Sequence, residues 1–266
     1  MSGAPKNIVW IASYPKSGNT WVRFMACNLL YGRQESAAAV GVLAPDLHEK
    51  AREILEGAHA GLVKTHFAWS PDMPLAERTA AAIYVVRRPE DVIVSNFYYA
   101  QRSSGAAALA DSRKAFDEYF DAFVSNRGDA RWIRLGMGSW DENVSSWLEA
   151  RHPFPVVPIR FEDLASDPQR VCGMLAQLLR PHSTAEEILA AVENSSFRRL
   201  KEIEDADIRE KRVGIFYKPY LEPSIRAGRR FMRQGSVGAP ELTQEQRGRL
   251  GAAFAPLLAK LSYPRG

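Results

Sequence analysis

IASYPKSGNTW, residues 11–21, comes directly off the apolar run Ile8 to Ala12 and passes into a helical pattern at Gly18. A strand, a polar glycine-containing turn and a helix in that order suit a phosphate, because the free N–H groups and the dipole of a helix N-terminus both favour an anion. Gly18 lets backbone approach a phosphate closely, Ser17, Asn19 and Thr20 add short donors, Lys16 adds a cation, and Trp21 offers a flat face for a base. In the triphosphate-binding motif, G-x-x-x-x-G-K-[ST], the lysine follows the glycine and reaches the β and γ phosphates. Here Lys16 precedes Gly18, and no Gly-Lys dipeptide occurs in the chain. Taken alone, the run fits a nucleotide-kinase loop with a displaced lysine, a loop for a different donor, or a plain capped turn.

The same order of elements recurs downstream. Apolar runs of strand length stand at 8–12 (IVWIA), 61–65 (GLVKT), 82–87 (AIYVVR) and 156–160 (VVPIR), each followed by a polar or glycine-containing turn and a helical pattern. Helical periodicity covers 18–31, 46–57, 90–102, 112–125, 139–151, 168–180, 184–194 and 243–261. Strand, loop and helix in repetition predict an α/β fold with a central parallel β-sheet flanked by helices. Pro158 cannot donate to a ladder, so the fourth strand belongs at an edge or is short. Residues 201–242 break the rhythm: KEIEDADIREKR at 201–212 is charged, GRRFMRQGSVGAPE at 228–241 is rich in Gly and Arg, and neither shows a period. Such a stretch is usually functional in a compact domain, so it reads as a lid or binding segment within a single domain over 1–266, a surface linker being the alternative.

Composition narrows the partners. At 266 residues, 46% hydrophobic and 25% charged, the chain is ordinary for a soluble globular protein. Its 35 Lys and Arg and 31 Asp and Glu are interleaved, giving a formal charge of +4 without a basic stripe, which favours an anionic small ligand over nucleic acid. No window approaches the roughly 18 apolar residues of a membrane span, and the N-terminal apolar run is too short for a signal peptide. Cys27 and Cys172 form no C-x-x-C pair, so neither a zinc site nor a disulfide framework is expected, and a cytoplasmic location fits best.

Two more strand ends carry chemistry. Lys64-Thr65-His66 closes the second strand, and alternation puts Lys64 and His66 on one face. A histidine there is either structural or a general base, its ordinary pKa of about 6.5 suiting the second role at neutral pH. The third strand ends in Arg87-Arg88-Pro89-Glu90-Asp91, with Ser95 farther along the following helix. Pro89 suits a first helical turn, Glu90 and Asp91 suit its positive end, and Arg87 and Ser95 could meet over one anion. The alternative is a normally capped helix with a surface arginine pair.

Together these stretches resemble the sulfotransferases that use 3′-phosphoadenosine 5′-phosphosulfate, PAPS. That family carries a Y-P-K-[SA]-G-[TN]-T-W loop, a K-T-H strand end, an R-x-P-x-D-x-x-x-S stretch and an F-x-R-K-G-x-x-G loop. This chain has YPKSGNTW at 14–21, KTH at 64–66, RRPEDVIVS at 87–95 and FMRQGSVG at 231–238. RFEDLASDP at 160–168, SSFRRLKE at 195–202 and GSWDENVSSW at 138–147 are also similar to family segments, and the order runs along nearly the whole chain. The opening resembles small bacterial members, including those that sulfate glycopeptide antibiotics.

The resemblance implies a P-loop-like nucleotide-binding sulfotransferase fold and sulfuryl transfer from PAPS to a hydroxyl of a small-molecule acceptor. It implies that Lys16, Ser17, Gly18, Asn19 and Thr20 hold the 5′-phosphosulfate, that Arg87, Ser95, Arg233 and Gly235 hold the 3′-phosphate, and that Trp21, Phe161, Ser195, Phe197 and Leu200 surround the adenine. His66 would take the acceptor's proton, Lys16 would meet the leaving phosphate, and Lys64 would steady the sulfuryl group. Cations placed this way serve without a metal, and no acidic cluster near these loops calls for magnesium. Gln234 stands where the family has lysine, and Arg88 replaces the usual Asp or Asn. The dimer pattern K-x-x-x-T-V-x-x-x-E of the animal cytosolic enzymes is not met around Thr243, where Gln244 and Gly248 stand at its Val and Glu places, so no oligomeric state follows. The acceptor pocket is expected from 33–60, 97–112 and 203–230, with Tyr98, Tyr99, Phe216, Tyr217 and Tyr220 as aromatic walls. A nucleotide kinase and an inactive sulfotransferase-like nucleotide-binding protein are the competing readings.

Overall fold

The computed structural model describes residues 6–56, 61–103, 113–235 and 237–263. Residues 57–60 and 104–112 of the expected acceptor segments, and Ser236 of the C-terminal loop, lie outside them. Four strands, β1 (Ile8–Ser13), β2 (Gly61–Thr65), β3 (Thr79–Val86) and β4 (Val156–Arg160), form one all-parallel sheet in the order β2-β1-β3-β4. The α/β expectation is met.

Apolar runs serve as strands here because both faces of the sheet are covered. Trp10, Ala12, Tyr84 and Val86 point into one core, with Trp140, Trp147, Phe120 and Phe254. Ile11, Ile83, Val85 and Ile159 point into the other, with Phe24, Met25, Leu175 and Leu200. That alternation is the two-residue period of a strand read on both sides. β3 begins three residues before its predicted start, since Thr79 to Ala81 are small residues that pair with β1 without a strand-like composition. β4 sits at the edge, as Pro158 requires. Ala82 N–H donates to Pro155 O, so Pro155, Val157 and Ile159 face β3 and Pro158 turns its donorless nitrogen outward.

Helices α1 (Asn19–Tyr31), α2 (Ala37–Leu43), α3 (Leu47–Glu56), α4 (Pro89–Ser103), α5 (Arg113–Asn126), α6 (Ala130–Arg134) and α7 (Trp140–Leu148) precede β4. After it come α8 (Phe161–Ser166), α9 (Pro168–Leu179), α10 (Ala185–Asn194), α11 (Phe197–Arg209), α12 (Glu222–Arg226) and α13 (Gln244–Lys260). Capping boxes at Ser139/Glu142, Thr184/Glu187 and Thr243/Gln246 fix the starts of α7, α10 and α13 by satisfying their opening N–H groups. The segment expected to be irregular from 201 is helical to Arg209. Leu200, Ile203, Glu204 and Asp207 form a buried stripe at helical spacing, and two of its four members are acids.

From β1 the chain crosses to β2 on one side, and β3 lies on the other. The switch point, where open parallel sheets bind ligands, therefore falls between the carboxyl ends of β1 and β3. The 14–18 turn and Arg87 leave the sheet there, and Arg87 Nη1 donates to Lys16 O at 3.4 Å.

Candidate active site

A cleft of about 780 Å³ opens at that switch point. Lys16, Gly18, Asn19, Thr20, Trp21, Lys64, His66, Arg87, Ser95, Phe161, Phe197 and Arg233 all line it. Ser17, Ser195, Leu200 and Gly235, named from the sequence, are not among the lining residues. Ser17 is buried in the turn with an unpartnered hydroxyl, and the Ser195 hydroxyl donates to Ala191 O at 2.6 Å. Leu200 belongs to the core on the α1 side of the sheet. Gly235 runs so close to the Phe197 ring that a Cβ would meet it at 2.8 Å.

The turn owes its shape to two left-handed residues. Lys16 has φ 70 and Gly18 φ 102, and a Cβ on Gly18 would stand 2.6 Å from Phe161. A non-glycine residue in that region costs about 1–3 kcal/mol and persists where the surroundings over-determine it. The turn delivers the opening N–H groups of α1, which lack intrahelical acceptors, to the cleft. The Asn19 side chain turns the other way: Nδ2 donates to Ile11 O at 2.9 Å and to Ser13 Oγ at 3.2 Å, tying the turn back to β1.

Lys16 Nζ lies 4.1 Å from the centre of the Phe231 ring and 4.4 Å from that of Tyr99. Burial first, then the repulsion of Arg102, Arg87 and Lys64, opposed by Glu204, pushes its pKa down to about 7. Arg87 is stacked 3.9 Å over Phe161, whose ring meets Trp21 edge-on at 6.0 Å, while Phe197 lies tilted 5.7 Å from Trp21. The three rings form one aromatic wall, and Trp21 Nε1 is buried in it without a partner. Arg88 points elsewhere, 5.0 Å over Tyr263, and does not line the cleft.

On the β2 side, His66 Nδ1–H donates to Ser13 O at 2.7 Å, which assigns the proton to Nδ1 and leaves Nε2 a lone pair. Burial, with Lys64 and His48 adding to it and Asp46 and Ser13 O opposing, holds the His66 pKa well below its ordinary value. His48 Nε2 accepts the His66 backbone N–H at 2.8 Å and is pushed down to about 4, chiefly by burial, so both imidazoles are neutral at pH 7. Lys64 and His66 share a face as alternation predicts. Lys64 Nζ is engaged at 2.7 Å by Asp46, whose carboxyl burial would raise but which Lys64, His66 and Arg23 together hold well below the usual range.

Two buried carboxylates absent from the expected site pin the C-terminal loop. Glu204 accepts the N–H groups of Phe231 at 2.6 Å and Met232 at 2.8 Å, and Asp91 Oδ1 accepts those of Gly238 at 3.0 Å and Ala239 at 2.9 Å. Asp91 therefore serves a distant loop beyond its place in the first turn of α4. Between these pins, Arg233 and Gln234 line the cleft. Of the expected acceptor walls, Tyr99 and Tyr220 line the cleft, whereas Phe216 stacks on Phe24 in the core and Tyr217 is buried, its hydroxyl donating to Glu222 at 2.7 Å. Phe231, which opens the FMRQGSVG motif, also lines it, as do Phe67, Trp132 and Met137, which no sequence signal sets apart from core residues. No group of three or more His, Cys, Asp and Glu suited to a metal occurs among the described residues, and none of their helices is long and apolar enough to cross a membrane.

A parallel α/β fold with a left-handed turn at the switch point, neighbouring guanidinium groups and an aromatic wall has the layout of the P-loop-like nucleotide-binding folds. A profile of the sulfotransferase domain family matches residues 6–262, so the chain belongs to the sulfotransferase family. Sulfotransferase 1A1 of Rattus norvegicus is 28% identical over 206 residues, 72% of this chain and 66% of the rat protein, just under two thirds of its length. A retinol dehydratase crystallised with androsterone and the inactive cofactor PAP superposes with a TM-score of 0.68 at 18% identity, over 96% of this chain and 81% of that one. A mouse sulfotransferase complexed with PAP gives 0.67 at 18% identity, over 96% and 85%. Membership of that family, matched over residues 6–262, sets the nucleotide-kinase reading aside.

Proposed function

We propose that the protein transfers the sulfuryl group of PAPS to a hydroxyl of a small organic acceptor, with His66 as the general base and Lys16 as the cation at the leaving phosphate. The observation that carries the reading is the pairing of a bare imidazole Nε2 with the anion-binding turn in one cleft: His66 and Lys16 both line it, and Ser13 fixes the His66 tautomer. PAPS supplies the activated sulfuryl group and the phosphate that departs from it. The buried and unpartnered Ser17 Oγ and Trp21 Nε1, with the free N–H groups of α1, fit such a nucleotide. Ser17, Gly18, Asn19 and Thr20 would hold the 5′ end, Arg87, Ser95 and Arg233 the 3′-phosphate, and Trp21, Phe161 and Phe197 the adenine.

In this reading His66 Nε2 takes the hydroxyl proton as the acceptor oxygen becomes the nucleophile, and Lys16 offsets charge on the leaving phosphate. Lys64, held by Asp46, contributes field at the transferring group without leaving its ion pair. Residues 201–242 act as the covering segment, sending Val213, Lys218, Tyr220, Phe231 to Gln234 and Ala239 to Glu241 to the cleft. Androsterone and retinol in related structures agree with an apolar hydroxylated acceptor, as do Phe67, Tyr99, Trp132 and Met137 here. His66→Ala is expected to lower turnover by roughly 10²–10⁴ while nucleotide binding persists. Turnover of labelled PAPS with a panel of phenols, steroids, sugars and peptide natural products measures this, and wild-type turnover in the variant would remove His66 as the base. No transfer to any acceptor by the wild type, with PAP still bound, would favour the inactive nucleotide-binding protein.

A further inference from the structure

Arg233 reaches the cleft with part of its guanidinium already engaged. Its guanidinium lies 4.2 Å over the Tyr98 ring, and Nη1 donates to Glu241 Oε1 at 2.9 Å. Glu241 Oε2 is buried and has no partner, and both side chains line the cleft. The arrangement is built in at the backbone. Asp91 fixes Gly238 and Ala239, and Arg113 Nη1 donates to Glu241 O at 2.7 Å, so the carboxylate hangs from a tethered strand of chain beside the arginine. Arg87 and Arg233 are close enough to repel, although Asp91 and Glu162 act on Arg87 more strongly. Neighbouring Gln234 brings no further cation.

We infer that Glu241 is a built-in competitor for Arg233: its carboxylate occupies the guanidinium that a nucleotide 3′-phosphate would take, and so holds down affinity for 3′-phosphorylated nucleotides. This rests on the assignment of Arg233 to the 3′-phosphate in the proposed function. A phosphate monoester carries about −1.5 to −2 charges at neutral pH against the single charge of a carboxylate, so it wins the guanidinium when present. The displaced carboxylate then stays near a like charge. That repulsion weakens donor and product nucleotides alike, and it acts only on those with a 3′-phosphate.

Calorimetric titration of the full chain with PAP and with adenosine 5′-phosphate tests this in the wild type, Glu241→Gln and Glu241→Asp. Glu241→Gln should bind PAP about five- to tenfold more tightly, as expected for removing one partly screened like charge from beside a phosphate, with adenosine 5′-phosphate unchanged. Glu241→Asp should keep wild-type affinity for both. A merely structural role for the ion pair would move both nucleotides together. PAP affinity that is unchanged or weaker in Glu241→Gln, or a gain equal for the two nucleotides, overturns the inference while leaving the sulfotransferase reading intact. A wild-type protein that binds neither nucleotide removes both.

Discussion

The two halves of the cleft are made differently. On the half proposed to hold the nucleotide, the groups come from strand ends and the first residues after them: the 14–21 turn from β1, Arg87 from β3, and Phe161 at the start of α8, directly after β4. Their positions are set by a buried parallel ladder, and a Cβ added at Gly18 or Gly235 would stand under 3 Å from Phe161 or Phe197. On the half proposed for the acceptor, the walls come from helices and connections: α2 and α3, Trp132 of α6, and the Val213 to Leu221 stretch. Four side chains at its mouth, Val42, Leu135, Val213 and Tyr220, are more than half exposed. A half framed by the sheet recognises one constant partner, whereas one framed by loops can change partner without touching the fold.

The sharpest way to break this division is Arg87→Ala. Loss of a buried guanidinium from a phosphate site should weaken PAP by roughly 10²-fold more than adenosine 5′-phosphate. Equal losses in calorimetry would move Arg87 out of the 3′-phosphate site.

A second test uses protons. Lys16, with a pKa of about 7 in the free protein, is largely neutral above that value. An anion at the turn restores the ammonium form, so nucleotide affinity should fall as pH rises above about 7, by up to about tenfold per unit until the bound-state pKa is passed. At pH 8, titrations in buffers of different ionisation enthalpy should show uptake approaching about one proton in the wild type and none in Lys16→Met. Wild-type uptake persisting in the variant would place the proton elsewhere.

The mildest effect belongs to the acceptor half. Trp132→Ala should raise acceptor KM by roughly three- to tenfold, the usual worth of an aromatic contact, with PAP affinity unchanged. A matching loss of PAP affinity would show that the halves are not separable.

The sequence was legible where a residue type is chemically irreplaceable at a strand end. The Pro-Lys-Ser-Gly-Asn-Thr run, Lys64-Thr65-His66 and Arg87 all converge on the switch point, because strand position fixes where they go. Ser195 and Leu200 were named by motif, but helix packing turns one toward Ala191 O and the other into the core. Helix α11 was missed because half of its buried stripe is Glu204 and Asp207, acids whose partners are backbone N–H groups distant in sequence, such as Phe231 and Ala37. Such a pairing leaves no trace in hydrophobic periodicity. Phe67 and Trp132 went unnamed for the opposite reason: an aromatic facing a cleft has the same sequence pattern as one facing a core.

Pro158 carries a last consequence. Its nitrogen sits midway along the outer rim of the sheet, where another extended segment would otherwise dock by main-chain pairing. With no donor at the centre of that rim, a fifth strand, whether from a second copy or from a partly unfolded chain, would lose a ladder bond on arrival. The same residue that marks β4 as an edge in the sequence thus protects the protein against polymerising through it.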